Sequence, residues 1–252
     1  MKIPAWAFAL MVVISMSSAC GKKESTPSGT SGLKPFTPPD PTIAATVSGV
    51  INFSGAPPQA RKIDMSQDPA CGNRPTFDDS VIVENHRVAN VFVFVKEGLS
   101  EFRFTPPSAA VTIEQKGCRY QPHVAAALNG QIVKFDNSDQ TTHNVHMMPK
   151  QLPQWNESQM PSGPSIEKRF DRPEIMIPIQ CNQHPWMRMY LNVVANPFYA
   201  ITGSDGSFEI EGLPPGTYTV AAVHEKFGEQ DMKVTVGPKE TRKFDFVFKN
   251  TP

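Results

Sequence analysis

The sequence predicts an all-β protein built as sandwiches, and three observations carry that reading. Short runs of alternating apolar and polar residues recur, as in "ATVSGVINF" and "QIVKFDN", which is the patterning of half-buried strands. The 25 prolines, with glycines and Asn/Asp pairs, punctuate these runs at turn spacing. No long stretch shows the apolar spacing that an ordinary amphipathic helix needs.

The 252 residues suffice for one or two domains with hydrophobic cores. Lys plus Arg and Asp plus Glu are both 24, and no polybasic run occurs. That balance argues against nucleic acid as the partner. The chain opens "MKIPAWAFALMVVISMSSACGKK": Lys2, an apolar stretch at 5–16, then Ser17, Ser18 and Ala19. Residues 1–19 therefore read as an export signal, too short to span a bilayer comfortably. Cys20 and a polar run follow, an order that resembles a bacterial lipoprotein signal, with Ser17 where that signal usually carries leucine. The resemblance implies a lipidated Cys20. With Gly21 next, it places the protein in the periplasm, lipid-anchored to the outer membrane. Residues 20–43 are rich in Ser, Thr, Pro and Gly and read as a flexible tether.

Strand signals then follow in order. Residues 44–104 carry "ATVSGVINF" and "VANVFVFVKEG". Residues 105–198 carry "AAVTIEQKG", "HVAAAL", "QIVKFDN", "NVHMM", "EIMIPIQ" and "MYLNVV". Residues 199–252 set "SDG" and "LPPG" turns between short alternating runs. The stretch "SDGSFEIEGLPPGTYTV" resembles a carboxypeptidase regulatory-like domain, a transthyretin-type sandwich. That family opens with a G-x-V-x-F strand and then one beginning with Ala. Here "SGVINFSGAPP" and "ANVFVFVKEG" match those pieces, far upstream. We expect 44–104 and 199–252 to form one transthyretin-like sandwich split by an insert at 105–198, since neither flank carries enough strands alone. Three consecutive modules are the alternative layout.

Cysteine arithmetic points to the chemistry. If Cys20 carries lipid, Cys71, Cys118 and Cys181 remain in an oxidising compartment and one is left over. Neither "DPACGN" nor "QKGCRY" has a histidine and methionine in loop spacing, so Cys71 pairs with Cys118 and Cys181 stays a thiolate. Other pairings remain open on sequence alone. In "CNQHPWM", Cys181, His184 and Met187 stand at three-residue steps in a loop between two strand-like runs and can converge on one ion. His143, in "FDNSDQTTHNVH", adds a donor from a separate loop. Two imidazoles and a thiolate with a weak thioether are the ligands of a blue-copper site. Zinc also takes Cys and His, but thioether is a poor zinc ligand, so the methionine favours copper.

The insert resembles the cupredoxins, and among them the amicyanin-like small blue copper proteins. "FDNSDQTTHNVH" is similar to the family's strand and first-histidine motif, and "CNQHPWM" to its Cys-x-x-His-Pro-aromatic-Met loop. The resemblance covers roughly 108–196. It implies a Greek-key β-sandwich, inserted in or packed beside the transthyretin-like one, with one type 1 copper, Cu(II)/Cu(I), on His143, Cys181, His184 and Met187. It further implies that Asn144 ties the ligand loops together by hydrogen bonding, that the ring edge of His184 reaches the surface, and that Pro185 and Trp186 belong to an apolar docking patch. The two modules together look like bacterial exported proteins of the plastocyanin-like or methylamine-utilisation-like type.

Other candidates read as structural. His146, three positions after His143, faces the other way on a strand. Met189 packs inward, His123 is a strand-edge histidine, and Met147, Met148, Met160 and Met176 are core, with a methionine-lined surface for Cu(I) transfer as the alternative. There is no G-x-S-x-G, P-loop, H-E-x-x-H or C-x-x-C, so no enzyme is expected. The function expected is a membrane-tethered, monomeric carrier of single electrons between periplasmic or surface redox partner proteins. Copper storage or delivery, and a structural or adhesive module with a metal-stapled insert, are the alternatives.

Overall fold

Alternation translates directly into sheet faces. Along Ala45–Ser54, Ala45, Val47, Ile51 and Phe53 turn inward. The computed structural model describes residues 32–72 and 75–250, and apart from one 3-10 turn at Pro69–Cys71 its regular elements are all strands. The predicted all-β class is the one the chain adopts. The expected export signal and Cys20 lie outside the described residues.

One sheet runs Ser207–Leu213, Ala45–Ser54, Arg87–Val88, Val83–Glu84, with Thr241–Lys243 and Phe246–Lys249 also pairing along Ala45–Ser54. A second runs Tyr199–Ile201, Phe92–Glu97, Gly216–His224, Gly228–Val236. Both mix strands from the two ends of the chain, and one apolar cluster, including Val47, Ile51, Val93, Val220 and Phe248, fills the space between them. Ala45–Ser54 is crowded on every side. A Cβ at Gly49 would lie 1.7 Å from the Phe244 carbonyl oxygen, so only glycine fits there. The "SDG" turn likewise needs its glycine, because Gly206 has φ +67°.

Between these strands the chain builds a second pair of sheets. One orders Tyr120–Gln121, Val111–Gln115, Ile132–Asn137, Ile166–Arg169, and the other Val124–Leu128, Arg188–Val194, Glu174–Gln180, His143–Met147, Trp155–Gln159. Their shared core includes Ile113, Val133, Phe135, Val145, Ile177 and Leu191. "VFVFV" and "HVAAAL" show little polar alternation because both faces of those strands are covered. Val93 and Val95 point into the first core while Phe92 meets Val124, Ala126, Leu128 and Val194 of the insert. Ala125 and Ala127 point the other way, into the insert's own core.

Part of the expected tether is not free. Lys34–Pro35 pairs in parallel with Phe102–Arg103, and Phe36 packs on Phe102, Phe104 and Phe198. One phenylalanine beside an open strand edge suffices to dock a segment whose composition otherwise reads as linker.

Candidate metal centre

Three strand ends meet at one edge of the insert. His143 opens His143–Met147, Cys181 follows Glu174–Gln180, and Met187 precedes Arg188–Val194. Antiparallel register aligns them, with His146 opposite Gln180 and Gln180 opposite Arg188. The loop between is closed by its own backbone: the Cys181 N–H donates to the Met187 carbonyl at 3.1 Å and the Met187 N–H to that of His184 at 2.8 Å.

The result is a buried cluster. His143 Nδ1 and His184 Nδ1 lie 3.0 Å apart, and Cys181 Sγ is 3.6 Å from His184 Nδ1. Donor atoms of His143, Cys181 and His184 all lie within 4.8 Å of one another. Ligand atoms bonded at about 2.0–2.3 Å to a common ion take up separations of this size. Met187 is fully buried in the same apolar cluster as Cys181.

The outer nitrogens explain why the inner ones converge. His143 Nε2 donates to Asp139 Oδ2 at 2.8 Å, and His184 Nε2 donates to Asp68 Oδ2 at 3.0 Å. Both carboxylates are held ionised. For Asp139, burial raises the pKa, but the proton of His143 and the N–H groups of Cys118 and Gly117 outweigh it. For Asp68, Thr141 and the Ala70 N–H lower it. A carboxylate only accepts, so each Nε2 carries the ring proton and a neutral ring leaves Nδ1 with a bare lone pair. Both Nδ1 atoms and the sulfur then face one another out of water, where a shared proton or a cation would satisfy them.

His143 and Cys181 also shift each other's titration. Burial works against a charged His143, yet Asp139 and then Cys181 lift its pKa to about 9. Burial raises the Cys181 thiol, but His143 and the N–H groups of Asn144, His184 and Gln183 bring it down to about 6. The two shifts favour a thiolate beside a protonated His143.

Cys71 and Cys118 form a disulfide, leaving Cys181 as the free cysteine among the described residues. Asn144 joins the ligand loops through its backbone, whose N–H donates to Cys181 Sγ at 3.3 Å; its side-chain amide turns instead to Ser158 Oγ at 2.9 Å. The ring edge of His184, expected at the surface, is only 3% exposed. Asp68 bonds its outer nitrogen, and the sulfurs of Cys71 and Cys118 lie beside the ring. Pro185 is exposed, whereas Trp186 is half-buried, donates its indole N–H to the Cys118 carbonyl at 3.2 Å and leans on His184 with ring centroids 5.2 Å apart. The expected apolar patch is thus reduced and partly turned inward. His123 lies elsewhere, between Asp79 and Glu225, and His146 bonds Asn182 and Gln154. Met147 is core, Met148 and Met176 are half-buried, and Met160 is 69% exposed.

Sequence reasoning missed Asp68, Asp139 and Thr141. Asp139 had a signal, since it lies four residues before His143 in a turn. The "KGCR" turn receives it: Gly117 and Cys118, both at positive φ, aim N–H groups at its carboxylate at 2.6 and 2.8 Å.

Residues 191–249 match the carboxypeptidase regulatory-like domain. Among curated proteins there is no match. Three solved structures are similar to part of the chain. Amicyanin from Paracoccus versutus (Thiobacillus versutus) is 18% identical, with 40% of this chain and 97% of that one covered and a TM-score of 0.31. The purple cupredoxin from Nitrosopumilus maritimus is 20% identical, with 33% and 99% covered and a TM-score of 0.29. The copper-containing nitrite reductase from Thermus scotoductus SA-01 is 20% identical, with 36% of this chain covered and a TM-score of 0.32; the chain spans 26% of its length.

Proposed function

We propose that His143, Cys181 and His184, with Met187 as a weak fourth donor, hold one copper ion and that the protein carries single electrons between redox partner proteins. The observation that supports this reading most is the convergence of both Nδ1 atoms and the Cys181 sulfur at 3.0 and 3.6 Å, with each outer nitrogen committed to a carboxylate. Copper in a set of two imidazoles, a thiolate and a thioether supplies a one-electron couple whose oxidation states accept the same donors.

The chain's own groups do the rest. Strand ends fix the donors, so little rearrangement accompanies a change of charge. Burial excludes water, and the Asn144 N–H on Sγ steadies the thiolate. With the His184 edge covered, the ring face against Trp186 is the route to the outside. Burial of the donors disfavours ready delivery of the ion to another protein, which ranks storage and delivery second. The reading carries with it export, a lipid tether on Cys20 and no catalysis. Among the described residues no helix is long and apolar enough to cross a membrane.

The test is the visible spectrum of the full-length protein with copper added. An intense thiolate-to-copper band is expected, and Cys181→Ser should abolish it. A wild-type protein without the band, or a variant that keeps it, rejects the assignment.

A further inference from the structure

We propose that Asp68 is a positioning residue for this centre, supplied by a segment remote in sequence from both ligand loops to fix the ring of His184. The inference rests on the copper reading above and deepens it. The two imidazoles are oriented by carboxylates of different origin. His143 is held by Asp139, four residues before it on the same turn. The loop of His184 offers its outer nitrogen no acceptor; the acceptor comes from 116 residues away.

Asp68 is itself directed. Its Oδ1 accepts the Ala70 N–H at 2.8 Å and so caps the 3-10 turn Pro69–Cys71. Its Oδ2 accepts the Thr141 hydroxyl at 2.8 Å and faces His184 Nε2 at 3.0 Å. Three residues on, Cys71 is bonded to Cys118, whose N–H holds Asp139. One disulfide thus joins the two backbone segments that set both carboxylates. A surface aspartate doing nothing but capping would need only one of its oxygens.

The division of labour between the oxygens gives the carboxylate two effects on the centre. It keeps the proton on Nε2, so His184 presents Nδ1 to the ion. It also feeds negative charge into the ring, which makes Nδ1 a stronger donor and favours the more highly charged ion. Loss of such an outer partner typically costs about 10–100-fold in metal affinity.

Asp68→Asn separates the two roles. Asparagine caps as well as aspartate, so the turn survives, but its amide N–H₂ can face Nε2 and its charge is gone. In the full-length protein this variant should weaken Cu(II) relative to Cu(I) about tenfold, raising the midpoint potential by about 59 mV. Thr141→Val, which relieves the same oxygen of a competing donor, should shift it in the opposite direction by less. An unchanged potential in Asp68→Asn overturns the proposal. The metal-free protein gives a second readout independent of copper: long-range proton–nitrogen NMR at one fixed pH should show His184 protonated on Nε2 in the wild type, with that preference lost in Asp68→Asn. A tautomer indifferent to the substitution also overturns it. If the wild type lacks the thiolate–copper band, the copper reading fails, and the tautomer measurement still decides whether Asp68 sets the ring.

Discussion

The two sandwiches share an architecture and differ in what they bury. The flanking core is apolar and strongly aromatic, with Phe53, Phe198, Phe208, Phe246, Phe248 and Tyr218 packed among Val and Ile. The insert's core mixes aliphatics with Met147, Met187, Met189 and the Cys181 sulfur, and it adjoins the buried imidazoles of His143 and His184. Apart from Thr202 and His224, the buried polar residues among those described all belong to the insert. Burying such groups is costly unless each finds a partner, and here Asn137, Gln159, Glu174 and Asn192 all do. The first body is stabilised by filling volume. The second gives up part of that stabilisation to hold donors in place.

The comparison breaks most readily at the aromatic core. Phe248 is fully buried, and Phe248→Ala should cost about 3–5 kcal/mol. Of the three tryptophans, Trp6 lies in the expected export signal and Trp155 and Trp186 in the insert, so tryptophan fluorescence of the chain without that signal reports on the other body. We expect its denaturant midpoint to fall along with that of the whole, because Phe92 and its neighbours bury one continuous interface against Val124, Ala126 and Val194. An unshifted tryptophan transition beside a lowered overall transition, followed by circular dichroism, would show two independent bodies instead.

Sequence made the fold and the site legible to different degrees. Alternation located the long strands, but Trp155–Gln159 and Ile166–Arg169 escaped it. Both are sheet edges with mostly exposed, polar side chains, so period-two burial hardly marks them. Phe36 escaped for the opposite reason: one apolar residue in a Pro- and Thr-rich stretch carries no pattern. Among the site residues, Cys181, His184 and Met187 were readable because one short loop carries them. Asp68 was not, since its role exists only once the folded chain brings it to His184. Local spacing encodes ligands. It does not encode a partner brought in from a remote loop.

The Cys71–Cys118 disulfide sharpens that distinction. It closes a separation of 47 residues between the segment that carries Asp68 and the insert. Removing it, as Cys71→Ser with Cys118→Ser, should cost about 2–4 kcal/mol. The loss should concentrate at the site, because Trp186, Asp139 and the Asp68 turn all rest on the bonded segments. Hydrogen exchange is the measurement: protection at Gly117 and Ala70 should drop more than at Val220 or Val93 in the flanking core. A uniform drop would mean that the bridge only restrains the unfolded chain.

The smallest effects are pH-dependent, and they set neighbouring histidines against each other. His123 of the insert is buried between Asp79 and Glu225, beside the ring of Tyr190. Burial opposes its charge, but the two carboxylates raise its pKa from 6.5 to about 9. The folded ring binds its proton more tightly than the unfolded one, so its contribution is complete below about pH 6.5 and fades as the pH climbs through 9. His224 of the flanking body adjoins the same Glu225, with Lys226 and His123 also acting on it, and it stacks on Phe227 at 4.5 Å. Burial dominates there and pulls its pKa down to about 4. Its contribution is complete above about pH 6.5 and fades as the pH falls toward 4, because the unfolded ring takes a proton that the folded one refuses. Urea unfolding across this range should therefore show His123→Gln flattening only the alkaline limb and His224→Phe only the acid limb. Were His224→Phe to flatten the alkaline limb instead, the two rings would be sharing one proton through Glu225, and the polar contact between the bodies would titrate as a unit.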